Sequence, residues 1–336
     1  MQAGNDQSLN TDMRDQAQRN PLARTEVTLS VVVPLYNEEL VIEEMYRRLD
    51  KVLRECVDSY ELILVNDGSR DRTVELARQI CKADKNVKFV NLSRNFGHQL
   101  AITAGMDRSG GRCVVIIDAD LQDPPEVIPL MLEKWRNEGC QVVYGMRAKR
   151  KGESWFKKTT ARLFYRLLRR MTAVDIPVDT GDFRLMDRRV LGEFLKMREQ
   201  ARFVRGMVSW VGFKQGYVTF ERDERFAGET KYPFKKMVKF AIDGVLSFSQ
   251  VPLKVASMFG FLSALVSFVF MVYGFVVWAF FPQHLVPGWA STFSAILFIG
   301  GVQLICLGIL GEYVGRIYEE VKRRPLYIIQ EELNFD

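Results

Sequence analysis

The 336-residue sequence lacks the features that mark several common classes of protein. Its five cysteines are scattered and form no Cys-x-x-Cys pair, which argues against a zinc site or a disulfide framework and favours a reducing compartment. Residues 1–26 contain no apolar run, so they are not a secretory signal, and we expect this polar segment to be disordered. The net charge of +6 suits anionic partners, but because no nucleic-acid-binding motif accompanies it, we expect no nucleic-acid partner.

Charged side chains are absent from a long C-terminal stretch, because residues 255–311 contain no Asp, Glu, Lys or Arg. One membrane crossing needs about 20 apolar residues, so the stretch has room for two. A short turn-like break at residues 282–288 predicts a transmembrane hairpin with helices at about 255–281 and 289–313. Basic residues flank the hairpin and none lies in its loop. This pattern predicts a multi-pass protein of the inner (plasma) membrane with both termini in the cytoplasm.

Two familiar nucleotide-binding signatures are also missing. No Gly-x-Gly-x-x-Gly follows the first predicted strand, which weakens a dinucleotide-binding hypothesis, and the absence of Gly-Lys-Ser/Thr removes the P-loop. The apolar pattern instead predicts strands at 27–33, 61–66, 87–92, 113–117 and 141–144, with helices between them. Strands that alternate with helices predict an α/β fold with a mostly parallel sheet covered by helices on both faces.

Polar side chains recur where these predicted strands end. Glu38, Asp67, the pair Asp118 and Asp120, and Arg147 should share one edge of the sheet, where ligands of open α/β sheets bind. Glu38 and Asp67 could hold the ribose and base of a nucleotide. The aspartate pair suits Mg²⁺ or Mn²⁺, which proteins hold with one or two carboxylates plus substrate phosphates. The alternative for the pair is a helix cap beside a solvated acid.

Four motifs, taken in order, resemble family 2 glycosyltransferases of the GT-A fold, which is Rossmann-like. They are Pro34-x-Tyr36-Asn37-Glu38, Asp67-Gly68-Ser69, Asn95-Phe96-Gly97-His98-Gln99 and Asp118-Ala119-Asp120-Leu121-Gln122. Within that family the chain most resembles the polyprenyl-phosphate branch. This branch includes bacterial undecaprenyl-phosphate glucosyltransferases of the GtrB type, dolichol-phosphate mannose synthases and aminoarabinose transferases. The resemblance covers about residues 27–325.

The resemblance implies a role for each matching residue. The donor nucleotide sugar would be bound by Pro34, Tyr36, Glu38, Asp67, Asp118, Arg225 and Lys231. Mg²⁺ or Mn²⁺ would be surrounded by Asp118, Asp120 and Gln122, and the acceptor phosphate would be bound by Arg147 and Arg162. The residues given a catalytic role are Asp120 and Asp182.

Ordinary structural roles compete with some of these assignments. Gln122 could cap a helix, Asp182 could be a turn residue, and Arg162 could be one basic residue among many on a surface helix. A lone histidine after a loop glycine is more often structural, so His98 receives no chemical role.

The predicted domain map has a catalytic domain at 27–231 on the cytoplasmic side, which contains an interfacial amphipathic helix at 154–171. A juxtamembrane amphipathic helix follows at 232–254, then the hairpin at 255–313 and a cytoplasmic tail at 314–336. Basic amphipathic helices commonly lie in the membrane interface, although a core-packed helix with a solvated basic face is the alternative for 154–171.

The function implied is transfer of a sugar to a polyprenyl phosphate with inversion at C1. Glucose from UDP-glucose is the first candidate, and mannose and aminoarabinose donors remain open. Glycines in the hairpin would allow close helix contacts, so we expect a homo-oligomer. One rival is a processive polysaccharide synthase, but its Gln-x-x-Arg-Trp motif is missing where this chain has Arg202-Phe203-Val204-Arg205-Gly206. The other is a non-catalytic membrane scaffold or transporter.

Overall fold

The computed structural model describes residues 27–147, 180–221, 251–280 and 288–335. Residues 27–147, 180–221 and 325–335 belong to one compact unit, and residues 251–280 and 288–324 belong to a second. The predicted N-terminal segment, the interfacial helix, the juxtamembrane helix up to residue 250 and most of the hairpin loop lie outside the described residues. So do three predicted site residues, Arg162, Arg225 and Lys231.

One eight-stranded mixed sheet forms the centre of the first unit, with the order β7-β5-β6-β4-β1-β2-β3-β8. Its strands are β1 Leu29–Leu35, β2 Tyr60–Asn66, β3 Val87–Leu92, β4 Cys113–Ile116, β5 Val142–Arg147, β6 Thr180–Asp187, β7 Gln215–Phe220 and β8 Ile329–Leu333. The helices of this unit are α1 Ile42–Cys56, α2 Thr73–Ala83, α3 His98–Arg108, α4 Ile128–Asn137, α5 Arg188–Lys196 and α6 Val204–Val211.

The central strands are continuous apolar runs because helices cover both faces of the sheet. Every residue of β1 and β2 is buried, and the two strands pair in parallel from Leu29 opposite Tyr60 to Leu35 opposite Asn66. Strand pairs β1–β2, β1–β4, β2–β3 and β5–β7 are parallel. The predicted α/β architecture with a mostly parallel sheet is therefore confirmed.

Strand β6 runs against its neighbours, and the sequence pattern did not reveal it. It lies between β4 and β5 and is antiparallel to both, with Arg184 opposite Ile116 and Thr180 opposite Met146. The reversal brings the first residues of β6 to the edge where β4 and β5 end. Asp182 therefore lies at the same edge as Asp118 and Arg147.

Residues 314–336, predicted to be a cytoplasmic tail, do not form one segment in the structure. Residues up to Lys322 continue the second hairpin helix, and Ile329–Leu333 forms β8, which pairs antiparallel with the edge strand β3. Two ion pairs join β8 to the helices beside it, Arg78 to Glu331 at 2.7 Å and Arg108 to Glu332 at 2.6 Å. The C-terminus is therefore part of the α/β unit.

The described residues of the second unit form two long helices, α7 Val251–Phe280 and α8 Trp289–Lys322. Pro252–Phe270 and Phe298–Lys322 are each long and apolar enough to cross a membrane. Their large apolar side chains are exposed, including Phe261 at 74% and Leu304 at 72%. α7 starts at Val251 and α8 continues to Lys322, whereas the predicted helices span about 255–281 and 289–313.

Candidate active site at the carboxyl edge of the sheet

The loops after β1 and β2 are locked together by side chains. The Ser69 hydroxyl accepts a hydrogen bond from the Asn37 backbone N–H at 3.0 Å, and the Asn37 side chain accepts one from the Arg70 N–H at 2.9 Å. The Glu38 N–H donates to the Thr73 hydroxyl at 2.8 Å. These bonds fix the segment that holds the predicted donor-binding residues: Pro34 is buried, Tyr36 is 37% exposed and Glu38 is partly buried.

Asp67, which follows β2, fixes the loop that precedes α3. Its carboxylate accepts hydrogen bonds from the Phe96 N–H at 2.7 Å and the Gly97 N–H at 3.0 Å, and its side chain is almost fully buried. Burial raises the pKa of Asp67, although the two N–H donors act in the opposite direction. Asp67 was predicted to contact the nucleotide. In this structure its carboxylate shapes the loop from which α3 begins, and the nucleotide contact stays a prediction.

Asp118 follows β4 and lies at the centre of the edge. The Asp118 side chain is 29% exposed, but its Oδ1 atom is buried and has no hydrogen-bond partner among the described residues. Burial raises the pKa of Asp118 to about 6, although the charge of His98, 3.5 Å away, opposes the shift. A buried carboxylate oxygen without a donor is costly unless a ligand supplies the missing partner.

Asp120 begins a tight turn. Its carboxylate accepts the Gln122 N–H at 3.2 Å, and Leu121 between them has a positive φ of 57°. The turn places Asp120 and Gln122 directly after Asp118, at the same strand end.

Arg147, the predicted acceptor-phosphate residue, ends β5 at the same edge. Its Nη2 atom lies 3.5 Å from Oδ2 of Asp123, whose side chain is 1% exposed. Gly181 makes room for this pair, because an added Cβ there would lie 2.8 Å from Arg147 Nη2. Arg147 is therefore held close to the aspartate motif by a buried carboxylate.

His98 is the main residue that sequence reasoning passed over. Its Nε2 atom lies 3.2 Å from Asp182 Oδ2 and 3.5 Å from Asp118 Oδ1, so it bridges two of the predicted site carboxylates. Burial would lower the pKa of His98, but the hydrogen bond to Asp182 and the charge of Asp118 raise it to about 9. The sequence feature that could have identified His98 was its place in the third motif, Asn95-Phe96-Gly97-His98-Gln99. Arg205 donates a hydrogen bond to Asp182. Nothing in the sequence pointed to it, except that it lies in the segment where a processive synthase would carry its Gln-x-x-Arg-Trp motif.

The donor set at this edge fits a hard divalent cation. Among residues 27–147, 180–221, 251–280 and 288–335, no group of three or more His, Cys, Asp or Glu side chains is arranged to hold a metal ion. Mg²⁺ is usually held by one or two carboxylates with substrate phosphates instead of an all-protein cage. The carboxylates of Asp118 and Asp120 match that pattern, and the observation that favours it is that the buried Asp118 Oδ1 atom accepts no hydrogen bond among the described residues.

A mixed α/β sheet with carboxylates gathered at its carboxyl edge is the arrangement that the resemblance to GT-A glycosyltransferases led us to expect. Residues 30–195 match the glycosyl transferase family 2 model, and residues 251–317 match the GtrB C-terminal hairpin model. The chain belongs to glycosyltransferase family 2, and it is a membrane-associated enzyme with a GtrB-type hairpin.

Similar proteins cover almost the whole chain. The uncharacterized glycosyltransferase YkcC of Bacillus subtilis is 55% identical over 306 residues, which are 90% of this chain and 94% of that one. An uncharacterized glycosyltransferase of Synechocystis is 47% identical, over 91% of this chain and 95% of its own. The SfII prophage-derived bactoprenol glucosyl transferase of Shigella flexneri is 39% identical, over 90% of this chain and 97% of its own. The similarity therefore includes the hairpin as well as the catalytic unit.

Proposed function

We propose that this enzyme transfers a sugar from a nucleotide sugar to the phosphate of a polyprenyl phosphate, with inversion at C1. UDP-glucose is the first donor and undecaprenyl phosphate the first acceptor to test. The observation that carries the proposal is at the carboxyl edge of the sheet, where the buried Oδ1 atom of Asp118 accepts no hydrogen bond among the described residues and lies 3.5 Å from His98 Nε2. The choice of glucose and of a lipid acceptor is supported by the 39% identity to a bactoprenol glucosyl transferase.

The donor would bind along the carboxyl edge. Pro34 is near the end of β1, and Tyr36 and Glu38 are on the interlocked loop after it, where the partly exposed Tyr36 side chain offers a surface to a base. Asp118, Asp120 and Gln122 would hold Mg²⁺ or Mn²⁺, which neutralises charge on the departing diphosphate when bound. Arg225 and Lys231 keep their proposed role at the diphosphate, on residues outside the described ranges.

The acceptor would need little help from a base. The second pKa of a phosphate monoester is about 6, so its oxygen is already ionised at neutral pH and can attack directly. Alignment is then the main requirement. Arg147 can supply part of it, because its guanidinium suits a phosphate and Asp123 fixes its position. Arg162 is proposed as its partner on residues outside the described ranges.

The membrane hairpin would bring the lipid acceptor to the cytoplasmic catalytic unit. We place this enzyme in the inner membrane as a multi-pass protein with both termini in the cytoplasm. A homo-oligomer is proposed as well. Gly300, Gly301, Gly308 and Gly311 support it, because nothing lies within 4 Å of an added Cβ at any of them, so another helix could approach closely.

One assay tests the reaction. The purified membrane protein is incubated with undecaprenyl phosphate, Mg²⁺ or Mn²⁺, and labelled UDP-glucose, with mannose and aminoarabinose nucleotide donors in parallel. Label that moves into a lipid extract supports the proposal and identifies the sugar. Labelled polymer would favour a processive synthase, and no transfer from any donor would favour a scaffold or transporter.

Asp120→Asn is the matched variant for this assay. Asn keeps an oxygen that can accept the Gln122 N–H, so the turn should survive, but the charge is lost. Turnover should fall by roughly 100-fold or more, the scale for losing a group that stabilises developing charge. Asp58→Asn, at an exposed position before β2, is the control and should be unchanged. Near-normal turnover in Asp120→Asn would contradict the metal assignment.

A further inference from the structure

Asp182 is surrounded by donors. Oδ1 accepts hydrogen bonds from Arg184 at 3.1 Å and Arg205 at 3.0 Å, and Oδ2 accepts from Arg205 at 3.3 Å and Gln99 at 3.4 Å. His98 Nε2 lies 3.2 Å from the same Oδ2 atom. The Asp182 side chain is only 6% exposed. Both carboxylate oxygens are therefore already occupied, and the group is almost closed to solvent.

Such a carboxylate is poorly suited to act as a general base. A base must reach the proton it removes and must accept it. Burial alone would raise the pKa of Asp182, but the charges of Arg205, His98 and Arg184 outweigh burial and hold the pKa well below its usual value. The proposed reaction also needs little general-base assistance, because the attacking phosphate oxygen is already ionised.

The bonds to Asp182 join three separate elements. Arg205 is near the start of α6, His98 and Gln99 begin α3, and Asp182 itself is at the start of β6. Gln99 strengthens the junction, since its side-chain oxygen also accepts the Val204 N–H at 3.2 Å. The cluster ends beside the acidic edge, because His98 Nε2 is 3.5 Å from Asp118 Oδ1.

We propose that Asp182 is a positioning residue that holds Arg205 and His98 beside Asp118 at the carboxyl edge of the sheet, where these two side chains contact phosphate oxygens of a substrate. Their exposed fractions fit this role, 28% for Arg205 and 32% for His98, whereas Arg184 is fully buried and serves as the internal counter-ion of Asp182. This inference rests on the proposed function. The phosphate oxygens belong either to the donor diphosphate or to the lipid acceptor, and the experiment separates the two.

The test begins with UDP binding to the full-length protein in detergent with Mg²⁺, measured by calorimetry, which requires no turnover. Arg205→Gln removes one cation and leaves the Asp182–Arg184 pair intact, so the fold should be kept even if Asp182→Asn is unstable. A charge-assisted hydrogen bond of ordinary strength predicts about tenfold weaker UDP binding in Arg205→Gln if the contact is to the donor. If the contact is to the acceptor, UDP binding is unchanged and the KM for undecaprenyl phosphate rises by about the same factor.

A double-mutant cycle tests whether Asp182 acts through Arg205. Groups that act as one unit are strongly non-additive, so Asp182→Asn with Arg205→Gln should lose about as much as the worse single variant. Arg205→Lys keeps the charge without the two-pronged geometry and should recover part of the loss. The control is Arg189→Gln, which breaks an ion pair of the same 3.0 Å length at the opposite end of β6. It should change neither the affinity for UDP nor the KM for undecaprenyl phosphate.

Each remaining outcome contradicts the proposal in a distinct way. A purely catalytic Asp182 predicts that Asp182→Asn loses kcat while UDP affinity and both KM values stay normal. A purely structural cluster predicts a lower melting temperature with no change specific to one substrate in Arg205→Gln. If the wild-type protein forms a lipid-linked sugar but Arg205→Gln is normal, only this inference fails. If the wild type neither binds UDP nor forms the product, the proposed function fails with it.

Discussion

Residues at the carboxyl edge carry unusual backbone conformations. Asn37, Gly68 and Leu121 have positive φ angles of 54°, 68° and 57°. Such conformations cost roughly 1–3 kcal/mol for residues other than glycine and occur mainly where the surrounding structure requires them. All three follow strands whose ends build the candidate site. The loops at the carboxyl edge of the sheet therefore adopt unfavourable backbone conformations, which bring the loop backbones and the carboxylates together.

Gly68 gives a direct test of this constraint. In Gly68→Ala the new Cβ would lie 2.5 Å from the Asn95 nitrogen, in addition to adopting a positive φ. We expect a loss of roughly 2–4 kcal/mol in unfolding free energy, the sum of a left-handed alanine and a backbone clash. The matched control is Gly139→Ala, because Gly139 has a φ of 63° but nothing within 4 Å of its added Cβ.

Chemical denaturation of the two variants checks the expectation. The control should lose only about 1–2 kcal/mol, the cost of the conformation alone. Equal losses in the two variants would mean that the contact between Gly68 and the Asn95 segment does not constrain the edge. A larger loss in Gly68→Ala should be accompanied by weaker nucleotide binding, because the same segment holds the N–H donors to Asp67.

The sequence predicted the acidic residues of the site better than its basic ones. Asp118 and Asp120 could be found because an apolar strand stops on them, which is a local signal. His98, Arg184 and Arg205 are brought to Asp182 from separate elements, so their importance depends on tertiary contacts that no local pattern encodes. His98 was assigned a structural role on general grounds, whereas the structure puts it between two carboxylates.

At the scale of secondary-structure elements, some strands could be predicted from the sequence and others could not. β1 and β2 are buried on both faces, so their unbroken apolar sequences predicted them well. β6 was missed because its buried residues include Asp182 and Arg184, and charged residues interrupt the apolar pattern by which a core strand is predicted. β8, with the sequence IQEEL, is a short edge strand rich in acids, and only its pairing with β3 distinguishes it from a polar tail.

The attachment of β8 can be weakened at one residue. The Asn334 side-chain amide donates to the carbonyls of Cys81 at 2.8 Å, Asp84 at 3.5 Å and Val87 at 2.7 Å. Asn334→Asp keeps the size of the side chain but sets a carboxylate against these oxygens. We expect the β8–β3 pairing to lose about 1–3 kcal/mol, the cost of leaving buried polar groups unsatisfied.

Amide hydrogen exchange measures this loss locally, because protection in β3 and β8 reports their opening. Exchange in β3 and β8 should accelerate, while β1 and β4 at the centre should keep their protection. Glu332→Gln serves as the control, since it breaks a partly exposed ion pair with Arg108 that is worth under about 1 kcal/mol. If Asn334→Asp leaves β3 protection at the wild-type level, the amide does not anchor the strand.

At the scale of the whole molecule, β8 restricts the membrane topology. The chain belongs to the α/β unit at residue 221 and again at residue 325, and β8 pairs with β3 of the same sheet. The number of membrane crossings between those points must therefore be even. This argument is independent of the flanking basic residues, and it agrees with the two long apolar helices α7 and α8.

Cysteine labelling tests the topology in sealed vesicles that expose the cytoplasmic face. Asp58→Cys in the catalytic unit and Gln330→Cys in β8 should both react with a membrane-impermeant thiol reagent, because both positions are exposed and lie in one unit. His284→Cys, in the predicted loop, should react only after detergent is added, relative to the wild-type protein in each case. Reaction at residue 284 without detergent would contradict a membrane-spanning hairpin.

The position of β8 also sets the order in which the protein can be completed. Asn334 reaches the Val87 carbonyl across 247 residues, and the chain between them includes both hairpin helices. During synthesis β3 is therefore made long before its outer partner emerges, and its edge stays open in the meantime. Contacts of such long sequence separation form late and slowly. The catalytic sheet can be finished only after the hairpin has been made, so synthesis of the hairpin precedes the final step of folding.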